Sequence, residues 1–141
     1  MQKFLCVALV AACLSSITPA FAQMGYPLKG SWSGDWWLKK GEENHLLLDF
    51  EWDGKILTGV LNPGTDNITL QKLSLEPPTG GVPHAMDPWI LRFEADAKDA
   101  TGKTVHYVVD GKLQNIGAYR KFVTGTWTAG SQKGEFRIVR N

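Results

Sequence analysis

Residues 44–61 read NHLLLDFEWDGKILTGVL, and their alternation decides the fold. Leu46, Leu48, Phe50 and Trp52 fall on one side of an extended chain; His45, Asp49 and Glu51 fall on the other, together with Leu47. Strand side chains alternate between faces, so this period of two predicts a half-buried strand over 44–52. Asp53-Gly54 follows, a pair that readily takes the positive φ of a tight hairpin, and KILTGVL (55–61) supplies the returning strand.

The same pattern extends outward in both directions, with no convincing helical period after the N-terminal segment. GSWSGDWW opens a first strand over 30–38. NITLQKLSL (67–75) is a fourth strand whose phase slips between Leu70 and Leu73, which predicts a bulge. EPPTGGVPHAMDP (76–88) is the one long loop, since its prolines and glycines exclude a central strand. WILRFEADA (89–97) carries Trp89, Leu91, Phe93 and Ala95 on one face, and Arg92, Glu94 and Asp96 on the other. KTVHYVVDGKLQ (103–114), KFVTGTWT (121–128) and GEFRIVR (134–140) complete about eight strands. The fold class is therefore all-β: a single up-and-down antiparallel meander, closed or nearly closed into a small barrel because closure removes exposed edges. A two-sheet sandwich is the alternative.

An internal echo supports the register. ILTGVLNPG (56–64) and FVTGTWTAG (122–130) share Thr, Gly and a final Gly at the same spacing, pairing Gly59 with Gly125 and Leu61 with Trp127. The Val123, Gly125 and Trp127 face is the better core face. A strand glycine marks a bend or a close backbone approach, as a strongly coiled small barrel needs.

The N-terminus has the form of a secretory signal. Lys3 precedes an apolar run over 4–14, and Ala20-Phe21-Ala22 offers a cleavage site after Ala22. Spanning a bilayer takes about 20 apolar residues, so this run predicts export and not a transmembrane helix. Val10-Ala11-Ala12-Cys13 gives a competing reading, a lipoprotein anchored through Cys13. The expected organisation is a signal peptide over 1–22, a short lead over 23–29 and a β-barrel domain over 30–141. The destination is periplasmic or extracellular. Cleavage after Ala22 removes both cysteines, Cys6 and Cys13, and leaves 119 of the 141 residues, enough for one core. Loss of Lys3 takes the 15 basic residues to 14, equal to the 14 acidic ones. With the signs interspersed, neither a nucleic-acid footprint nor a polybasic membrane patch is present. In a eukaryotic host Asn67-Ile68-Thr69 would be a glycosylation sequon.

Gly30-Ser31-Trp32 resembles the Gly-x-Trp that opens the first strand of calycins, the superfamily of lipocalins and avidins. The resemblance implies that Trp32 closes one end of the barrel beneath a basic residue of the last strand, Arg140 or Arg137. DGKILTG (53–59) is similar to the second hairpin of avidins, and TGTW (124–127) has the same cast. The chain also looks like short secreted bacterial proteins that carry Gly-x-Trp and DGxxLTG hairpins. Where an avidin-type Tyr would contact biotin this chain has Leu61, and the lipocalin Thr-Asp-Tyr motif is missing. The resemblance therefore implies a fold and no named ligand.

No catalytic or metal centre is expected. His45, His84 and His106 show neither His-x-His nor His-x3-His spacing, and HAMD (84–87) is too slight a pattern to assign to copper. The pairs Asp49/Glu51 and Glu94/Asp96 could serve a hydrolase only across a cleft; on the polar face of a sheet they are solvated charge. Strands of this length also fall short of the roughly 9–11 residues of a transmembrane barrel.

The six tryptophans are the best functional material. Trp52, Trp89 and Trp127 lie on apolar faces, and Trp36 and Trp37 must point opposite ways. The expectation is a non-enzymatic barrel that binds a small, partly apolar ligand at its mouth through Trp36, Trp37, Trp127 and Tyr107, flanked by the 76–88 loop with His84 and Met86. Trp32 and Arg140 are assigned to structure, and no cofactor is expected. The alternatives are a carbohydrate- or envelope-associated module using exposed Trp, and a protein-interaction or inhibitor barrel with a filled core.

Overall fold

The computed structural model describes residues 25–64, 66–78 and 87–141. The secretory segment with Cys6 and Cys13, and His84 and Met86 of the long loop, lie outside the described residues. The described residues form nine antiparallel strands: β1 (Gly30–Trp37), β2 (Asn44–Trp52), β3 (Leu57–Leu61), β4 (Ile68–Thr69), β5 (Gln71–Glu76), β6 (Trp89–Lys98), β7 (Thr104–Gln114), β8 (Phe122–Ala129) and β9 (Gln132–Arg140). Their spatial order is β4-β3-β2-β1-β9-β8-β7-β6-β5. This is an up-and-down meander wrapped into a nearly closed barrel, with one unsealed seam between β4 and β5. Among the described residues no helix is long and apolar enough to cross a membrane.

The single fourth strand expected from the sequence is two strands. β4 pairs with β3 (Leu61 opposite Ile68), and β5 pairs with β6 (Leu75 opposite Leu91). The break falls where the phase slips: the register shifts between Gln71 and Ser74, and Lys72 sits at φ +48°. Leu70 and Leu75 are both buried although an odd number of positions apart, which an uninterrupted strand cannot achieve. The extra residue of the bulge restores the inward phase. Across the break, the Leu70 amide donates to the Gly59 carbonyl at 3.0 Å, which ties the seam together at that point.

Antiparallel order sets which loops share an end. β1 runs from the Trp32 end toward Trp37, so 53–56, 77–78, 87–88 and 115–121 all lie at the Trp32 end, while 38–43, 62–64, 66–67, 99–103 and 130–131 lie at the other. The 76–88 loop therefore leaves β5 and re-enters β6 at the closed end; its expected place beside the mouth falls on residues outside the described ones.

The closed end is packed around Trp32, which has no exposed surface. Its indole Nε1 donates to the Leu28 carbonyl at 2.7 Å, and its ring meets Phe50 edge to face at 6.5 Å. Leu28 is fully buried and belongs to a 3-10 turn, Tyr26–Leu28, in which Pro27 supplies a pre-set φ. The 25–29 segment thus packs against the closed end through Leu28. Arg140 is the cross-strand partner of Trp32, and its Nε lies 2.9 Å from where a Cβ on Gly30 would stand. Lys121 Nζ donates to the Pro27 carbonyl at 3.3 Å. Burial, with the Arg140 charge adding, holds the Lys121 amine below its ordinary range. Leu48, Leu91, Leu113, Val123 and Ile138 fill the lumen above.

The internal echo has a structural counterpart. Gly59 stands directly opposite Phe50, and Gly125 directly opposite Phe136. A Cβ on Gly59 would lie 3.0 Å from Phe50 Cδ1; one on Gly125 would lie 2.1 Å from the Asp110 carbonyl oxygen. Both glycines admit a close neighbour on a strongly coiled sheet. The Val123, Gly125 and Trp127 face points inward as expected, with Val123 and Trp127 buried.

Candidate functional site

Toward the open end the inward positions change from aliphatic to aromatic. On β1, Trp36 follows Trp32 and Gly34 on the inner face; on β8, Trp127 follows Val123 and Gly125; on β7, which runs the opposite way, Tyr107 lies one inward position nearer the mouth than Val109. The topology brings these rings together. Trp36 and Trp127 meet at 5.3 Å between ring centres and 79° between planes, Trp36 and Tyr107 at 6.0 Å and 80°, and Tyr107 and Trp127 at 5.7 Å and 62°. Such edge-to-face contacts are each worth about 0.5–1.5 kcal/mol beyond burial, so the trio is a preformed wall. Gly134, the cross-strand partner of Trp127, makes room for it: a Cβ there would lie 2.4 Å from the indole Cε2 and Cζ2.

With Leu46, Leu61 and Phe93, the three rings line a cavity of about 1080 Å³ that opens between the 62–67 and 99–103 turns. That is at the upper end of the roughly 300–1,000 Å³ usual for small-molecule sites. Asn44, Asp66, Asn67, Lys98 and Asp99 stand at its rim. The lumen is therefore filled at the Trp32 end and open at the Trp36 end. Trp127 is 5% exposed, yet its Nε1 finds no acceptor among the described residues.

Of the four residues expected at the mouth, Trp36, Tyr107 and Trp127 meet there. Trp37 does not. It is on the outer face of β1, where its Nε1 donates to Glu135 Oε2 at 3.3 Å. Trp32 and Arg140 sit at the opposite, closed end. Sequence reasoning passed over Leu46, Leu61 and Gly134 as mouth residues. The first two were visible as inward positions of β2 and β3; the role of Gly134 had no local signal.

On β6, Glu94 and Asp96 alternate with the inward Phe93 and Ala95, although Asp96 also belongs to the cavity lining. On the outer surface of β5–β7, His106 bridges these two carboxylates: its Nδ1 lies 2.7 Å from Asp96 Oδ1, and its Nε2 lies 3.2 Å from Glu94 Oε1. Lys72 Nζ lies 2.8 Å from Glu94 Oε2, and Gln71 Nε2 donates to Asp96 Oδ2 at 2.9 Å. Asp96 and then Glu94 raise the His106 pKa, Lys72 and then His106 lower that of Glu94, and Gln71 and then His106 lower that of Asp96. One ring nitrogen goes to each carboxylate, so the three side chains do not converge on a point. Among the described residues no group of three His, Cys, Asp or Glu could hold a metal ion. Asp49 accepts from Ser31 Oγ, and His45 lies 3.7 Å from Asp35.

No protein-family model matches the chain, and neither a curated protein nor a solved structure matches it.

Proposed function

We propose that this chain is an exported, non-enzymatic, calycin-like barrel that binds a small, partly apolar ligand at its open end. One observation carries the reading: an aromatic-walled cavity of about 1080 Å³ opens at the Trp36 end. A sealed base with an open, apolar mouth is the arrangement in which small barrels hold one ligand. The reading calls for no catalysis: the inner part of the cavity is walled by rings and aliphatic side chains, and Asp96, which also lines it, is engaged with His106, as is Glu94. The calycin-like assignment is supported by Trp32 at the closed end, set opposite Arg140 and bonded to the Leu28 carbonyl. The glycan-platform alternative has less to draw on, since Trp37 alone of the six tryptophans is on an outward strand position and it is already bonded to Glu135.

Two measurements test the proposal. Native mass spectrometry of the protein recovered from its host compartment is expected to show a bound small molecule, and the mass of its N-terminus distinguishes cleavage after Ala22 from acylation at Cys13. Titration with the neutral dye N-phenyl-1-naphthylamine is expected to quench tryptophan emission, with the effect reduced in Trp36→Ala. A clean apo mass together with unchanged emission would overturn the reading.

A further inference from the structure

The mouth has a chemical asymmetry that defines a ligand class; this inference rests on the reading of that cavity as a binding site. Trp127 lines the cavity, and its Nε1 is a buried hydrogen-bond donor without an acceptor among the described residues. A buried donor left unpaired costs about 1–3 kcal/mol, so a bound group that accepts from it recovers a free energy of that size. The groups around it are aromatic and aliphatic: Trp36, Tyr107, Phe93, Phe136 and Val109. The one basic side chain of the cavity lining, Lys98, belongs to the mouth end of β6, where Asp66 and Asp99 also stand.

Those facts separate three kinds of inner end. A purely apolar one leaves the donor unpaired. A carboxylate would pair with it, but it would be buried among rings with one N–H and no counter-charge, at a desolvation cost that one hydrogen bond does not repay. A neutral carbonyl or amide oxygen pairs with it at far smaller cost. We propose that the mouth takes a neutral, planar, unsaturated carbonyl compound, whose oxygen accepts from Trp127 Nε1 and whose ring system lies against Trp36 and Tyr107. Since Nε1 is closed off from water, admission of the oxygen requires one of the two rings packed edge to face against Trp127 to rotate. Trp36 and Tyr107, both only half-buried, are the rings able to do so. Anionic fatty-acid-like ligands are disfavoured by the same cavity.

Three probes of matched shape test this by calorimetry: 2-acetylnaphthalene, 2-ethylnaphthalene and 2-naphthoate. The ketone is expected to bind about tenfold or more tightly than the hydrocarbon, with the carboxylate weakest. Trp127→Phe, which keeps a ring and removes the donor, is expected to erase the preference for the ketone. In ¹⁵N-labelled wild-type protein, one indole N–H resonance should move downfield with the ketone and not with the hydrocarbon. If the ketone and hydrocarbon bind equally, or if the carboxylate binds best, the acceptor proposal is overturned while the mouth remains a binding site. If none of the three binds, both are overturned. The ranking on wild-type protein decides the matter even if Trp127→Phe fails to fold.

Discussion

Replacing Trp32 by Phe isolates what closes the barrel. The substitution acts on two terms that the structure makes explicit. First, the Trp32 Nε1–Leu28 carbonyl bond of 2.7 Å disappears, and the carbonyl is left facing a packed end with no donor. Stranding a buried acceptor costs about 1–3 kcal/mol. Second, the six-membered ring of Phe leaves part of the indole volume empty at a site with no exposed surface, next to Phe50. Truncation of a buried Trp to Ala costs about 3–5 kcal/mol, and Phe removes roughly a third as much, or about 1 kcal/mol. Together the loss is about 2–4 kcal/mol, a large fraction of the stability of a domain of this size. Urea unfolding followed by circular dichroism reads it as a midpoint lowered by about 1–2 M at an unchanged slope. Trp37→Phe is the internal control: the same chemical change on the outer face, with a 3.3 Å surface bond to Glu135, should stay within about 0.5 kcal/mol of wild type. If the two variants lose the same amount, Trp32 does not seal the base and the packing assigned to this end is wrong.

Other perturbations probe separate links. Gly125→Ala places a Cβ 2.1 Å from the Asp110 carbonyl oxygen, a backbone atom that cannot swing away, so it should cost about 3 kcal/mol or more, whereas Gly117→Ala, in open space, should be near neutral by thermal melts. The His106 pKa is raised by Asp96 and then Glu94, so the stabilisation is complete below the unfolded value near 6.5 and is lost as pH rises through the higher folded value. Urea midpoints compared at pH 5.5 and pH 9 should therefore fall more for wild type than for His106→Gln; equal falls would show that the cluster contributes nothing. In acid the sign reverses: Glu94 and Asp96, both lowered, stop contributing as pH drops through their folded values, and Glu94→Gln should flatten that limb.

The strands were legible because burial on one face imposes a period that the sequence must carry. β2 shows this most plainly: Leu48 and Phe50 are buried, while His45 and Glu51 are exposed. The bulge was legible for the same reason, since Leu70 and Leu75 cannot both point inward without an extra residue. What local pattern could not state was partnership. Nothing in NITLQKLSL says that its first residues pair with β3 and its last with β6, because that depends on how far the whole sheet curls.

The outward place of Trp37 and the end at which the long loop is rooted have a different origin, because their information was present in the chain. Once Trp32 is set inward, alternation makes Trp36 inward and Trp37 outward, so Trp37 could never share the wall that Trp36 forms. Likewise, in an up-and-down barrel the fourth strand ends at the end where the first began. A long loop following it must leave and return beside Trp32, whatever residues it contains. Both are parity statements and needed no coordinates. The orphan donor of Trp127 is of another kind. It depends on Gly134 lying beneath the indole and on the rings that close over it, which is a property of atoms from β1, β7, β8 and β9 at once. Parity fixes which side chains reach the mouth, and only their packing there fixes the polarity of the ligand that the mouth can accept.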